Sequence, residues 1–167
     1  MNTAAISTAI GEVLTGSLGS TRTVPAGTFS EGVHDGSSEA QMNQRALAGP
    51  RFFVRLEDPS RLPAVGPSTS NRVVLEMGVK VVLTYLAPQE IRATGRRAIE
   101  ATAIDNGETV RRALEWPGNL TQTAAGAATG LVSGCIVFQS SRSGRVNWAR
   151  RVYQRELTFL ARVLDAQ

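Results

Sequence analysis

Hydrophobic and polar positions alternate most regularly between Arg72 and Leu86, RVVLEMGVKVVLTYL, where Val73, Leu75, Met77, Val79, Val81, Leu83 and Tyr85 take every second place. Arg72, Glu76, Lys80 and Thr84 fall between them. A period of two belongs to a β-strand with one buried face. At about 3.3 Å per residue the segment spans roughly 50 Å, far more than the usual strand of about 5–6 residues. The pattern therefore predicts either a bend at Gly78, where a missing Cβ admits a bulge, or one arm of a ribbon that projects past its own domain. Leu75, Val79 and Val81 are candidate core residues on its apolar face.

The remaining pattern is mixed. Asn2 or Thr3 is placed to cap a helix over 3–15, with Ile6, Ile10, Val13 and Leu14 as one stripe and Gly16 and Gly19 as its stop. Residues 20–50 are rich in Gly, Ser, Thr and Pro and are expected to form a long loop or arm, ordered by a neighbouring subunit. Phe52, Val54 and Leu56 predict a strand over 51–57, and the proline-rich 58–71 a connection to the long strand. Two helices are expected after Pro88, over 89–104 and 107–115, the second capped by Asp105 or Asn106. A loop of small residues over 117–130 leads to an apolar strand over 131–139. An arginine-bearing loop, SSRSGRVNWARR, then leads to a last strand over 153–164 that includes Phe159, a further core candidate. Helix, two strands, two helices and two strands predict an α+β fold, with an antiparallel or mixed four-stranded sheet and helices on one face. The 167 residues suit a single domain.

Charge adds one feature. The net charge is +4, and seventeen arginines stand against one lysine, Lys80. A GC-rich coding bias accounts for such a total, so the distribution carries more meaning. Arg142, Arg145, Arg150, Arg151 and Arg155 lie between Ser140 and Arg155 with no acid among them, a local basic surface. Trp148 and Tyr153 in the same stretch fit a nucleic-acid groove, but two aromatics anchoring a solvated loop to the core explain the pattern better.

Candidate chemistry is sparse. One cysteine, Cys135, excludes an intrachain disulfide, and with the lone His34 it leaves no zinc set. Ser133 and Ser17 lack the context of a nucleophile elbow, and only His34 is available as a base. His34 reads as an exposed loop histidine and Cys135 as a small buried hydrophobe. The glycines at 126, 130 and 134 are not followed by the Gly-Lys-Ser/Thr of a phosphate loop. Asn119-Leu120-Thr121 is a glycosylation acceptor only in a secreted chain. No cofactor, metal, catalytic residue or membrane span is expected, and a soluble cytosolic protein is the default reading.

Taken together, FFVRL, the RVVLEMGVKVVLTYL strand, TVRRALEWPGNL, GLVSGCIVF and RRVYQRELTFLARV, spread over residues 51–164, resemble the tail terminator (tail completion) proteins of long-tailed bacteriophages. The resemblance implies a non-enzymatic virion subunit, assembled in the host cytoplasm. Its hexameric ring would sit on the last ring of tail tube protein, stop tube polymerisation and offer a surface to the head-neck proteins. Double-stranded DNA would pass through that ring with non-specific contact only. Arg142, Arg145, Arg150 and Arg151 would then face the lumen or a partner ring. Two alternatives are a head-closure or adaptor protein of the same neck and a small basic DNA-binding protein. Against the second, no helix-turn-helix spacing with a basic recognition helix is present.

Overall fold

The computed structural model describes residues 2–17, 24–34, 49–62, 72–88, 93–147 and 149–166. Six strands form one mixed sheet: β1 (Ser30–Glu31), β2 (Arg51–Leu56), β3 (Ser60–Arg61), β4 (Arg72–Leu86), β5 (Val137–Asn147) and β6 (Val152–Ala166). The spatial order is β1-β2-β4-β6-β5, with β3 on the same edge of β4 as β2. Among the described residues only the β1–β2 pair is parallel. Three of the four expected strands, 51–57, 72–86 and 153–164, are therefore present as β2, β4 and β6, while β5 lies later than the expected 131–139, and two strands of two residues each are added. Ser60–Arg61 was expected within a connection; it pairs instead with Leu75 and Glu76, so the chain after β2 keeps running along β4 past Asp58 and Pro59.

The long strand does not bend at Gly78. It pairs with β6 from Arg72↔Ala166 to Leu86↔Val152 without a shift of register. Gly78 has another role, because a Cβ there would collide with Glu57 Oε2, and the missing side chain lets Glu57 cross the strand to reach Lys80 Nζ at 2.6 Å.

Among the described residues two helices, α1 (Thr3–Thr15) and α2 (Ala93–Glu115), cover the face that carries the odd-numbered residues of β4. The Asn2 side chain accepts from Ala5 N at 3.1 Å and starts α1, and Gly16, at φ +74°, ends it. Ile6, Ile10, Val13 and Leu14 pack with Val24, Phe29 and Phe52. Val24 and Phe29 belong to the stretch expected as an arm over 20–50; of that stretch, 24–34 and 49–50 are described, and the remainder lies outside the described residues.

Where two helices were expected after Pro88, α2 is continuous. Asp105 and Asn106 are not caps; Asn106 donates its Nδ2–H to Tyr85 Oη at 2.9 Å, and Gly107 lets the helix settle on β6. The buried stripe runs Ile99, Ala103, Gly107, Val110, Ala113 and Leu114, the three- and four-residue spacing of one helix face. The apolar run 131–139 is not one strand either. Gly130 and Gly134, with φ of +73° and +58°, break it into a single bridge at Leu131, a 3-10 turn over Val132–Gly134 and the start of β5.

Val79, Val81 and Phe159 are fully buried, as the alternation requires. Leu75 is not: it is half-buried, near the end of β4 where Val73 and Val74 are half-buried too, and it stands outside the main cluster.

Tyr85 and Tyr153 lie opposite each other in this core, with ring centroids 6.2 Å apart. Burial pushes the Tyr85 phenol up to about 12 against an opposing hydrogen bond from Asn106, while Tyr153 raises it further and Arg155 lowers it. The folded chain thus holds this proton more tightly than the unfolded chain. The stabilisation is complete below about pH 10 and is lost as pH rises through about 10 towards about 12. Chemical denaturation between pH 8 and pH 12 should show wild type losing stability more steeply than Tyr85→Phe. Equal slopes would contradict the assignment.

Candidate functional site

The arginine segment expected as a loop is mostly strand, and this decides where each cation goes. Residues 137–147 form β5, an outer edge of the sheet, paired with β6 across irregularities between Phe138 and Ser140 and between Ser143 and Val146. Bulges and charged side chains are common on exposed edges because they discourage pairing with another chain.

Arg142 projects from the sheet face opposite the helices. Its Nε and a terminal nitrogen lie 2.9 and 2.8 Å from Glu156 Oε2. The sequence window had no acid for it, but strand pairing supplies one from just beyond the window. Arg150 is exposed in the turn, where its backbone N–H donates to Asn147 Oδ1 at 3.1 Å. Arg145 lies in β5, and its side chain is outside the described residues. Arg151 cannot face a lumen or a partner: it is 7% exposed, donates to the Ala87 carbonyl at 3.3 Å, and accepts at its own carbonyl from Ala87 N at 2.7 Å. Its φ of +57° directs the chain from the turn into β6 and carries the side chain inward.

These two arginines should respond differently to mutation. Arg142→Ser removes a pair whose arginine is 71% exposed, and thermal melts should show a change of less than about 1 kcal/mol. Arg151→Ala should cost more, because it removes a hydrogen bond buried against the end of β4. The reverse order would show that the turn is held some other way.

The face opposite the helices carries three cross-strand ion pairs: Glu57–Lys80 at 2.6 Å, Glu76–Arg162 at 3.2 Å and Glu156–Arg142 at 2.8 Å. Val137, 50% exposed, lies on the same face opposite Leu160, and Leu164, 41% exposed, lies there opposite Val74. Arg51 and Arg55, opposite Thr84 and Lys80, add cations to this face, so it is net basic with an apolar strip; no described helix covers it, and it is buried only towards Val82, Thr84 and Leu86.

Ser133 and His34 do not meet. Ser133 follows Leu131, which bridges to Val163 opposite Leu75, whereas His34 N donates to Thr84 Oγ1 at 3.0 Å. Leu75 and Thr84 are separated along β4 by roughly 30 Å. His34 is not an exposed loop residue; it is 4% exposed, with Nε2 2.8 Å from the Gly49 carbonyl. Cys135 is half-buried, and burial together with the nearby Glu115 pushes its thiol up, which favours the protonated, unreactive form. Among the described residues no group of three or more His, Cys, Asp and Glu could hold a metal ion. Among them, too, no helix is long and apolar enough to cross a membrane.

Searched against models of known protein families and against curated proteins, the chain matches none.

One more arginine of the expected basic surface does not belong to it. Arg155 stands opposite Leu83 on β4, on the helix-facing side between Tyr153 and Leu157, and not with the solvent-facing arginines. The signal was present, since Arg155 breaks the apolar half of the β6 alternation, but it was hidden within a cluster of like residues.

Proposed function

We propose that this protein is a ring-forming structural subunit of a bacteriophage neck, a tail terminator that caps the tail tube, stops its polymerisation and joins it to the head-neck proteins. The observation that carries the reading is the β4–β6 ribbon, fifteen residues on each strand, with helices on one face and, on the other, an ion-paired, partly apolar surface that no described helix covers, buried only towards Val82, Thr84 and Leu86. Such a sheet offers each subunit two lateral surfaces, the exposed part of this face and the β5 edge, and two different surfaces in contact generate a ring where the rotation closes and an open filament where it does not. Hexameric closure and the tail tube and neck partners come from the family resemblance. DNA passing through such a ring would meet Arg150, and in this reading the contact is non-specific and weakened by salt.

Light scattering over a range of concentrations, combined with negative-stain imaging, tests the proposal. Closed rings that restore tail length control to terminator-defective particles support it. A chain that stays monomeric at every concentration and in the presence of tail tubes would overturn it. Rings that bind portal-side complexes but not tubes would favour the head-closure alternative.

A further inference from the structure

Between α2 and the β5–β6 pair lies a recess of about 80 Å³ bordered by Gly107, Glu108, Arg111, Phe138, Ser141 and Arg155, among others. Two buried polar atoms beside it have no hydrogen-bond partner in the protein, Arg155 Nε and Ser141 Oγ. Both can donate. Arg155 also forms no ion pair with any described residue.

The neighbouring charges are already engaged. Arg111 is bound by Glu108 and by Glu115 at 2.9 Å, and Glu108 also meets Arg112 at 3.4 Å. The bond to Arg111 is the main cause that holds the Glu108 carboxyl below its ordinary range. No acid is left over for Arg155. The recess thus joins one uncompensated cation and one hydroxyl donor, walled by the Phe138 ring and the helix backbone, and it is larger than a single water requires.

Gly107 is what makes the room. It lies in the interior of α2, where glycine is a poor helix former, and a Cβ there would stand 3.5 Å from Arg155 Nε and 3.4 Å from Leu157 Cδ2. That is tolerable for packing, but it would narrow the approach to the guanidinium.

We propose that this recess binds a small oxyanion, of the size and charge of inorganic phosphate or acetate, held by Arg155 Nε–H and Ser141 O–H. A bound anion would satisfy both donors and latch α2 to the β5–β6 pair. The proposal stands on the recess alone and does not depend on the ring reading.

The test is thermal unfolding of the full chain titrated with phosphate and, separately, acetate, with chloride replaced so that ionic strength stays constant. Wild type should show a saturable rise in melting temperature with at least one of the two anions. Ser141→Ala should weaken the apparent affinity roughly tenfold, as expected for one hydrogen bond to a charged group. Arg155→Gln should abolish the saturable rise. Gly107→Ala, which keeps both donors, should fold and lose the rise, so the test survives if Arg155→Gln does not fold. A wild-type response no greater than that to chloride would overturn the proposal and leave water as the partner of these donors. Equal responses in wild type, Ser141→Ala and Gly107→Ala would overturn it as well, since the anion would then be acting elsewhere.

Discussion

Val79→Asp is expected to yield no soluble folded protein, whereas Leu75→Asp, four residues earlier on the same face, should remain folded with reduced stability. Val79 is wholly buried between Leu56 and Phe159 on the neighbouring strands. A carboxylate there would have no partner, and an uncompensated buried charge costs roughly 3–5 kcal/mol, a large share of the total stability of a typical domain. Leu75 is half-buried near the ribbon's end, where a new charge can reach water. Expression in the soluble fraction, followed by circular dichroism, separates the two. Soluble, normally folded Val79→Asp would mean that the register of β4 is wrong by one residue, since such a slip moves every side chain to the other face.

The second large effect is expected at Gly16. Its φ of +74° costs an alanine about 1–2 kcal/mol, and a Cβ would stand 2.6 Å from the Val24 carbonyl oxygen and 2.7 Å from Ala26 N. Both are backbone atoms, so the segment carrying the buried Val24 must move away. Gly16→Ala should therefore lose roughly 3 kcal/mol or more by denaturant titration. Gly78→Ala is the control. There the nearest atom, Glu57 Oε2, ends a flexible side chain that can swing aside at the expense of its pair with Lys80. Its cost should stay below about 1 kcal/mol. Comparable losses at both glycines would show that the close approach at Gly16 is not what fixes that turn.

The parts of this fold legible from sequence are those in which periodicity and burial coincide. The alternation in 72–86 and 153–164 located the two central strands, and Asn2 and Gly16 marked the ends of α1. β5 was hidden because it is an edge. With Arg142 projecting to solvent and Ser140 and Ser143 in the row, it lacks the apolar alternation that betrays a strand buried against helices. The break expected at Asp105–Gly107 did not occur because tertiary contacts outweighed local propensity: Asn106 bonds Tyr85, and Gly107 fits against Leu157. Among the arginines, sequence gave a cluster where the structure gives separate destinations. Arg142 reaches Glu156 across strands, Arg151 turns inward on a left-handed backbone, and Arg155 lies beneath α2. Only the last could have been read from β6 alternation alone.

The unbroken β4–β6 pairing also gives the subunit a mechanical direction. Hydrogen bonds between antiparallel strands run perpendicular to the strand axis. If β4 and β6 are drawn apart lengthwise, the fifteen register pairs from Arg72↔Ala166 to Leu86↔Val152 are loaded in shear together, and none can give way far ahead of the rest. Drawn apart sideways, the same pairs open in succession from one end, each bearing nearly the whole load in turn. The ribbon is stiff and strong under tension along its length and weak against peeling, so a pull along the strands would spare it where a far smaller transverse pull would unzip it.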